Sequence, residues 1–375
     1  MSDVSPRGSR GDTVLFVSIW AYLGGGQKSL LTLLRSLPEW LTGVLAAPSD
    51  GPLIERVRVG TRVREHVVIP DQGSGHRWRA RLAASMVVGR WLARNRGRVS
   101  AVHLNGEAEL KMLLPVLPFT RARFIVWYHS KEMSRSTARL APLLRLLRRR
   151  VVWAVVSEAA GHELLSARVA TERNALIVPN PIDPGEVVPR SRPAHEAPGL
   201  VIGYLGCEEV SKGILLLPDI VERLAGAPVR VLVVTKEWPR DRNSPEVNRA
   251  LDRLRALGPG VEFRQRDHDV RNIYAAIDAL LVPSLSESFC RIAAEAMLNR
   301  LPVIASDLPA LRELLGDSEA GLLFPTGDAA AAAAAVRRLA ADPFLRTELA
   351  DAGTARAARF APGQVVTKFL ELYGL

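Results

Sequence analysis

Cysteine is nearly absent: Cys207 and Cys290 are the only two in 375 residues. That excludes a disulfide framework and a four-cysteine zinc site. Long apolar runs are absent too. The best, such as LLTLLRSL (30–37) and VVWAVV (151–156), fall well short of the roughly 20 residues that cross a bilayer. The opening MSDVSPRGSRGDT lacks the apolar core of a secretory leader, so export by that route is not expected. There is no phosphate-binding P-loop and no Gly-x-Ser-x-Gly. The triplet Gly24-Gly25-Gly26 lacks the third glycine of a dinucleotide fingerprint, which disfavours a dehydrogenase. With 48% hydrophobic and 24% charged residues, the chain is no long disordered segment. Its length fits two or three domains, and the expectation is a cytoplasmic, enzyme-sized protein.

Acidic charge is scarce in one half. Residues 1–190 hold 28 Lys/Arg against 15 Asp/Glu, residues 191–375 hold 22 against 24, and residues 51–150 hold 21 against 6. This asymmetry points to an anionic partner for the first half: a membrane surface, a phosphorylated acceptor or nucleic acid. The basic residues are 44 Arg and 6 Lys, so coding bias toward arginine is the plainer alternative. The stretch 121–150, with Leu140, Leu143, Leu144, Leu146 and Leu147 among arginines, reads as an amphipathic basic helix. It suits a peripheral place on the inner face of the membrane or an ordinary half-buried packing role. No nucleic-acid module surrounds it, so nucleic acid is not an expected partner.

Short β-branched runs alternate with amphipathic helical stretches, the pattern of parallel α/β sheets. Strands are expected at 13–18, 43–47, 62–69, 101–104, 123–128 and 151–156. Six prolines in 179–198 forbid a central strand or helix interior and mark a hinge. A second alternation follows, with strands at 201–206, 229–235, 279–284, 302–305 and 321–324. The expected organisation is therefore an acceptor domain over 1–185 with a returning C-terminal helix (358–375), a hinge over 186–198 and a donor domain over 199–357. Ligands of such folds sit in the cleft between the halves.

The richest segment is PSLSESFCRIAAEAMLNRLPVIAS (283–306). A helix beginning near Ser288 puts Glu287 at its N-terminus and Glu295 about 12 Å further along the axis. The amides of Ser288, Phe289 and Cys290 then form the positive end of the helix dipole, an anion site. That arrangement suits a nucleotide sugar, with diphosphate at the helix start and a carboxylate for sugar and ribose hydroxyls. Read without further context, the same residues make a helix cap and a solvated face.

These residues resemble the glycosyltransferase family 4 pattern of retaining GT-B enzymes, P-S-x-x-E-x-F-G-x-x-x-x-E-A-M-A-x-G-x-P-V-I-A. Glu287, Phe289, Glu295, Ala296-Met297 and Pro302-Val303-Ile304-Ala305 stand in register with it, and Glu313-Leu314-Leu315 through Gly321-Leu322-Leu323-Phe324 to Gly327-Asp328 continue the likeness. The resemblance implies two facing Rossmann-like domains and metal-free transfer of a sugar from a UDP- or GDP-linked donor to a hydroxyl acceptor. It implies no cofactor besides that co-substrate. Gly25 and Gly26 are similar to the family's glycine loop beside the donor phosphates. His129, ending a strand in FIVWYHS, is similar to the histidine beside the transferred sugar, where it hydrogen-bonds a hydroxyl or stabilises charge. Lys212 takes the diphosphate, Glu287 the sugar and Glu295 the ribose. An epimerase or phosphorylase of the same architecture is the enzymatic alternative, and a basic binding protein with a degenerate site the non-enzymatic one.

Three departures stand out. The family's arginine five residues before the lysine is Cys207, so one diphosphate cation is missing or supplied elsewhere. Thr235-Lys236-Glu237 replaces a Gly-x-Gly, and Cys290 replaces the glycine after the phenylalanine. Asp267-His268-Asp269 spells the metal motif of GT-A enzymes, but it precedes a helix, so Asp269 is read as a cap.

Overall fold

The computed structural model describes residues 11–71, 77–130, 132–186, 199–236, 240–265 and 271–375. Apart from Glu186 the expected hinge lies outside these residues, and so does Asp267-His268-Asp269. The chain divides into two units, Met1–Pro181 with Pro362–Leu375, and Ile182–Ala361.

The first unit is built on seven strands: β1 (Thr13–Val17), β2 (Thr42–Ala47), β3 (Val63–Val68), β4 (Val99–Leu104), β5 (Arg123–Tyr128), β6 (Val151–Val155) and β7 (Ala175–Ile177). They pair in parallel in the order β3-β2-β1-β4-β5-β6-β7. Val14, Leu15, Phe16 and Val17 of β1 are all fully buried, because helices cover both faces of a parallel sheet. The second unit holds β8 (Leu200–Tyr204), β9 (Val229–Thr235), β10 (Val261–Gln265), β11 (Ala279–Val282), β12 (Val303–Ser306) and β13 (Gly321–Phe324). Their order is β10-β9-β8-β11-β12-β13, again all parallel. Strand order reverses between β1 and β4 and between β8 and β11. Loops leaving the C-terminal ends of these strands are where α/β sheets bind ligands. Each unit is Rossmann-like, and the pair makes a GT-B fold.

The sequence places the first unit's end at 185, whereas the structure ends it at Pro181. The Ile182 amide donates to the Phe360 carbonyl at 2.9 Å, which ties 182–186 to the second unit. The returning helix runs Pro362–Tyr373 rather than from 358, after a 3-10 turn at Ala358–Phe360. It seals the first unit with Phe369 and Tyr373, buried against Phe16, His103 and Trp127. The Tyr373 hydroxyl lies 2.7 Å from His103 Nδ1. Burial, with the nearby charge of His129, pushes the His103 pKa down to about 3, so this ring stays neutral in the core.

The basic helix expected in the stretch 121–150 is broken. Short helices at Arg135–Ala138 and Ala141–Leu146 replace it, followed by turns. Arg150 is folded back onto the carbonyls of Thr120 and Ala122.

Candidate active site

In the first unit, β1 leads through Trp20 and Tyr22, whose rings lie 5.9 Å apart, to the glycine loop. Helix Gly25–Arg35 starts there, with Gly24 as its cap. A side chain on Gly26 would come within 3.3 Å of the His129 ring, so glycine at 26 lets the helix start lie directly on the histidine. His129 follows β5. Its Nε2 faces Asn105 Oδ1 at 3.3 Å, and its ring lies 4.6 Å from Trp127. Thus Gly26 and His129, predicted separately, stand together. Sequence reasoning missed Asn105, although an asparagine directly after an apolar strand was the available signal.

It also missed Glu109. This carboxylate is 2% exposed and accepts the Ile19 amide at 3.2 Å, fastening helix Glu107–Leu113 to the loop beyond β1. Burial pushes its pKa up to about 7, against the opposing pull of the Ile19 amide.

In the second unit two loops meet across the β8/β11 switch. Gly213 has φ +79°, and a Cβ there would lie 1.9 Å from the Pro283 carbonyl oxygen. Only glycine allows this backbone-to-backbone approach. The Leu285 amide donates to the Ser211 carbonyl at 2.9 Å, closing the loops further. Lys212, beside that glycine, donates from Nζ to Glu287 Oε1 at 2.8 Å and Oε2 at 2.9 Å. Ser284 Oγ donates to the same Oε1 at 2.8 Å. Burial pulls the Lys212 pKa down, but Glu287, Cys290 and Glu209 more than offset it, and the net shift is upward. The ammonium is therefore held charged.

The helix expected to begin near Ser288 begins at Arg291. Cys290 precedes it with φ 68° and ψ 74°, a left-handed conformation that an α-helix cannot contain. Ser288 and Phe289 therefore lie in the loop before the helix, and the 12 Å separation calculated for a continuous helix does not apply to Glu287. The same φ gives a physical reason for the family's glycine at this position. Cys290 is buried, and burial raises its thiol pKa well above the ordinary value. Phe289 packs edge-on against Phe360 at 5.2 Å.

Glu295 is 2% exposed. Its Oε2 accepts from the Tyr274 hydroxyl at 2.7 Å, and its Oε1 lies 3.2 Å from the Arg291 guanidinium. The structure thus couples Lys212 with Glu287 on one side of the loop and surrounds Glu295 with protein partners on the other. Beyond β8, Cys207 has φ 58° and is buried, and its carbonyl accepts from the Tyr204 hydroxyl at 3.0 Å. Among the described residues no group of His, Cys, Asp or Glu is arranged to hold a metal ion.

The family profile described as Glycosyl transferases group 1 matches residues 199–342. A phosphatidyl-myo-inositol mannosyltransferase of Mycobacterium leprae is 25% identical over 360 residues, 93% of this chain and 92% of that one. A D-inositol 3-phosphate glycosyltransferase of Corynebacterium urealyticum is 28% identical over 179 residues, 46% of this chain and 42% of its own, so the chain spans less than half of that relative. A glycosyltransferase from Rickettsia africae superposes with TM-score 0.81 at 17% identity, covering 97% of this chain and 98% of that one. HepE of Anabaena, crystallised with UDP-glucose, gives 0.78 at 18% identity over 97% and 100%. The chain accordingly has the GT-B fold, and its residues 199–342 match the group 1 glycosyltransferase profile.

Proposed function

We propose that the protein moves a sugar from a nucleoside diphosphate sugar to a hydroxyl acceptor, with retention of configuration and without a metal. The observation that carries this reading is the Lys212–Glu287 pair at the β8/β11 switch. A diphosphate leaving group needs fixed positive charge, and a sugar needs an acceptor-rich carboxylate. The donor phosphate takes the Lys212 ammonium, which releases the Glu287 carboxylate to the sugar hydroxyls while Ser284 keeps it oriented. The bond from the anomeric carbon to phosphate oxygen breaks, and the acceptor oxygen bonds to the same face of that carbon. The acceptor proton passes to the departing phosphate oxygen. The protein's part is charge stabilisation and orientation. Glu295 is assigned to the ribose, His129 to a hydroxyl of the transferred sugar, and Gly25 and Gly26 to close backbone approach. UDP-glucose bound to HepE favours a UDP-linked donor, with GDP as the other choice. The test is thermal stabilisation by UDP- and GDP-sugars, followed by nucleoside diphosphate release. Stabilisation by neither would sink the reading.

The acceptor proposed here is a lipid-linked hydroxyl at an anionic leaflet. A relative named for phosphatidyl-myo-inositol favours it, and so does helix Arg77–Arg94. Trp78, Leu82 and Met86 recur every fourth residue on one side of this helix and are exposed at 64%, 50% and 48%. Arg79, Arg90 and Arg94 accompany them, and the helix carries no acidic residue. An apolar stripe rimmed by arginine suits an anionic interface. Among the described residues no helix is long and apolar enough to cross a membrane, so docking on the surface is the mode proposed.

A further inference from the structure

The arginine expected in the loop after β8 is replaced by Cys207, which is 4% exposed and brings no cation. A diphosphate carries more negative charge than Lys212 alone balances. The neighbouring strand offers a cation. β9 pairs with β8 in parallel, with Tyr204 opposite Val233, so the loop holding Cys207 and the end of β9 at Lys236 leave the same end of the sheet. The lysine is fixed in place by the acidic pair that follows Cys207. Its amide donates to Glu208 Oε2 at 3.0 Å, from a carboxylate 5% exposed. Its Nζ lies 3.6 Å from Glu209 Oε1, with side chains 35% and 42% exposed. The Glu209 charge also helps raise the Lys212 pKa, so one carboxylate bears on both lysines. An ion pair this exposed contributes little by itself, and phosphate oxygens compete for its lysine readily.

We propose that Lys236 is the second cation of the donor site, taking the diphosphate charge that the family pattern gives to an arginine at position 207. The buried Glu208 anchors the lysine's backbone, and Glu209 holds its ammonium near the site until the phosphate arrives. Strand β9 thereby performs the work that the β8 loop has lost. This inference rests on the donor-site reading above.

The experiment is calorimetric titration of the full chain with UDP and with GDP at several salt concentrations, using wild type, Lys236→Met, Lys236→Gln, Lys236→Arg and Glu209→Gln, with melting curves for each. The expected result is binding about tenfold weaker in Lys236→Met and Lys236→Gln, the loss of roughly one charge-assisted contact. Their salt dependence should be shallower, Lys236→Arg should bind within about twofold of wild type, and Glu209→Gln at least as tightly as wild type. A folded Lys236→Met or Lys236→Gln that binds as wild type does would overturn the assignment. So would a loss matched by Glu209→Gln, which would mark the pair as structural. Wild type that binds neither diphosphate would remove the donor-site reading itself, a separate and distinguishable outcome.

Discussion

Glu295 and Glu109 are both buried carboxylates, and they should respond to substitution in opposite ways. Glu295 neutralises Arg291, which is itself 9% exposed. Truncation to alanine removes the carboxylate facing the buried Arg291 and the shorter of the Tyr274 hydroxyl's hydrogen bonds, so Glu295→Ala should lose about 3–5 kcal/mol of stability. Denaturant unfolding measures this. Glu295→Gln keeps the shape and an acceptor for Tyr274 while also removing the charge opposite Arg291, and the folded variant should bind nucleotide more weakly by roughly 1.5–3 kcal/mol. Unchanged nucleotide affinity in that variant would remove the ribose assignment. Glu109 has no cation in that role, and burial pushes its carboxyl up to about 7, above the ordinary carboxylate range. The folded state therefore binds more protons than the unfolded state in the interval between the two. Stability is lost as pH rises through that window, by up to about 3 kcal/mol. Glu109→Gln should flatten this fall, read as the difference between the two proteins' urea midpoints at pH 5 and pH 8. A wild-type and variant difference that does not change with pH would contradict the assignment.

At the scale of elements, the proposed chemistry rests on two loops locked together at the β8/β11 switch. Gly213→Ala forces a methyl into the Pro283 carbonyl, so the loops must part. The expected outcome is about 2–4 kcal/mol of destabilisation together with lost nucleotide binding. Gly226→Ala, at positive φ with open space around it, is the control that should keep binding. The sequence made most of this framework legible, because β-branched runs such as VRVLVVT (229–235) and GLLF (321–324) are long or pure enough to read directly. β7 has three residues, and β10 reads VEFRQ, a half-exposed edge strand with only two apolar residues, so both are too short to stand out from the surrounding loops. The helix start was misplaced by three residues because the φ of Cys290 leaves no mark in the sequence. The pairing of Lys212 with Glu287 across 75 positions was likewise hidden, since the motif shows both residues without showing that they touch. Asn105 and Glu109 were passed over because their burial comes from tertiary packing around β1 and β4.

For the whole molecule, the excess of 21 basic over 6 acidic residues in 51–150 belongs to the first unit, while the match to the group 1 profile lies in the second. Anionic vesicles at low salt should therefore sediment the protein, and neutral vesicles or high salt should not. Replacing Trp78, Leu82 and Met86 together by serine should weaken that binding at least tenfold and leave turnover of a soluble acceptor unchanged. Equal binding to neutral vesicles would remove the electrostatic basis. Metal plays no part in the proposed transfer, so EDTA should leave activity intact, and loss restored by manganese would overturn that part of the mechanism. The central claim is glycosyl transfer from a nucleotide sugar with retention, and proton NMR of the turnover products tests it most directly. With an α-linked UDP- or GDP-sugar and an alcohol or water as acceptor, the account predicts nucleoside diphosphate release and a first-formed product that keeps the α configuration. A β product, or no release from either donor, would contradict it.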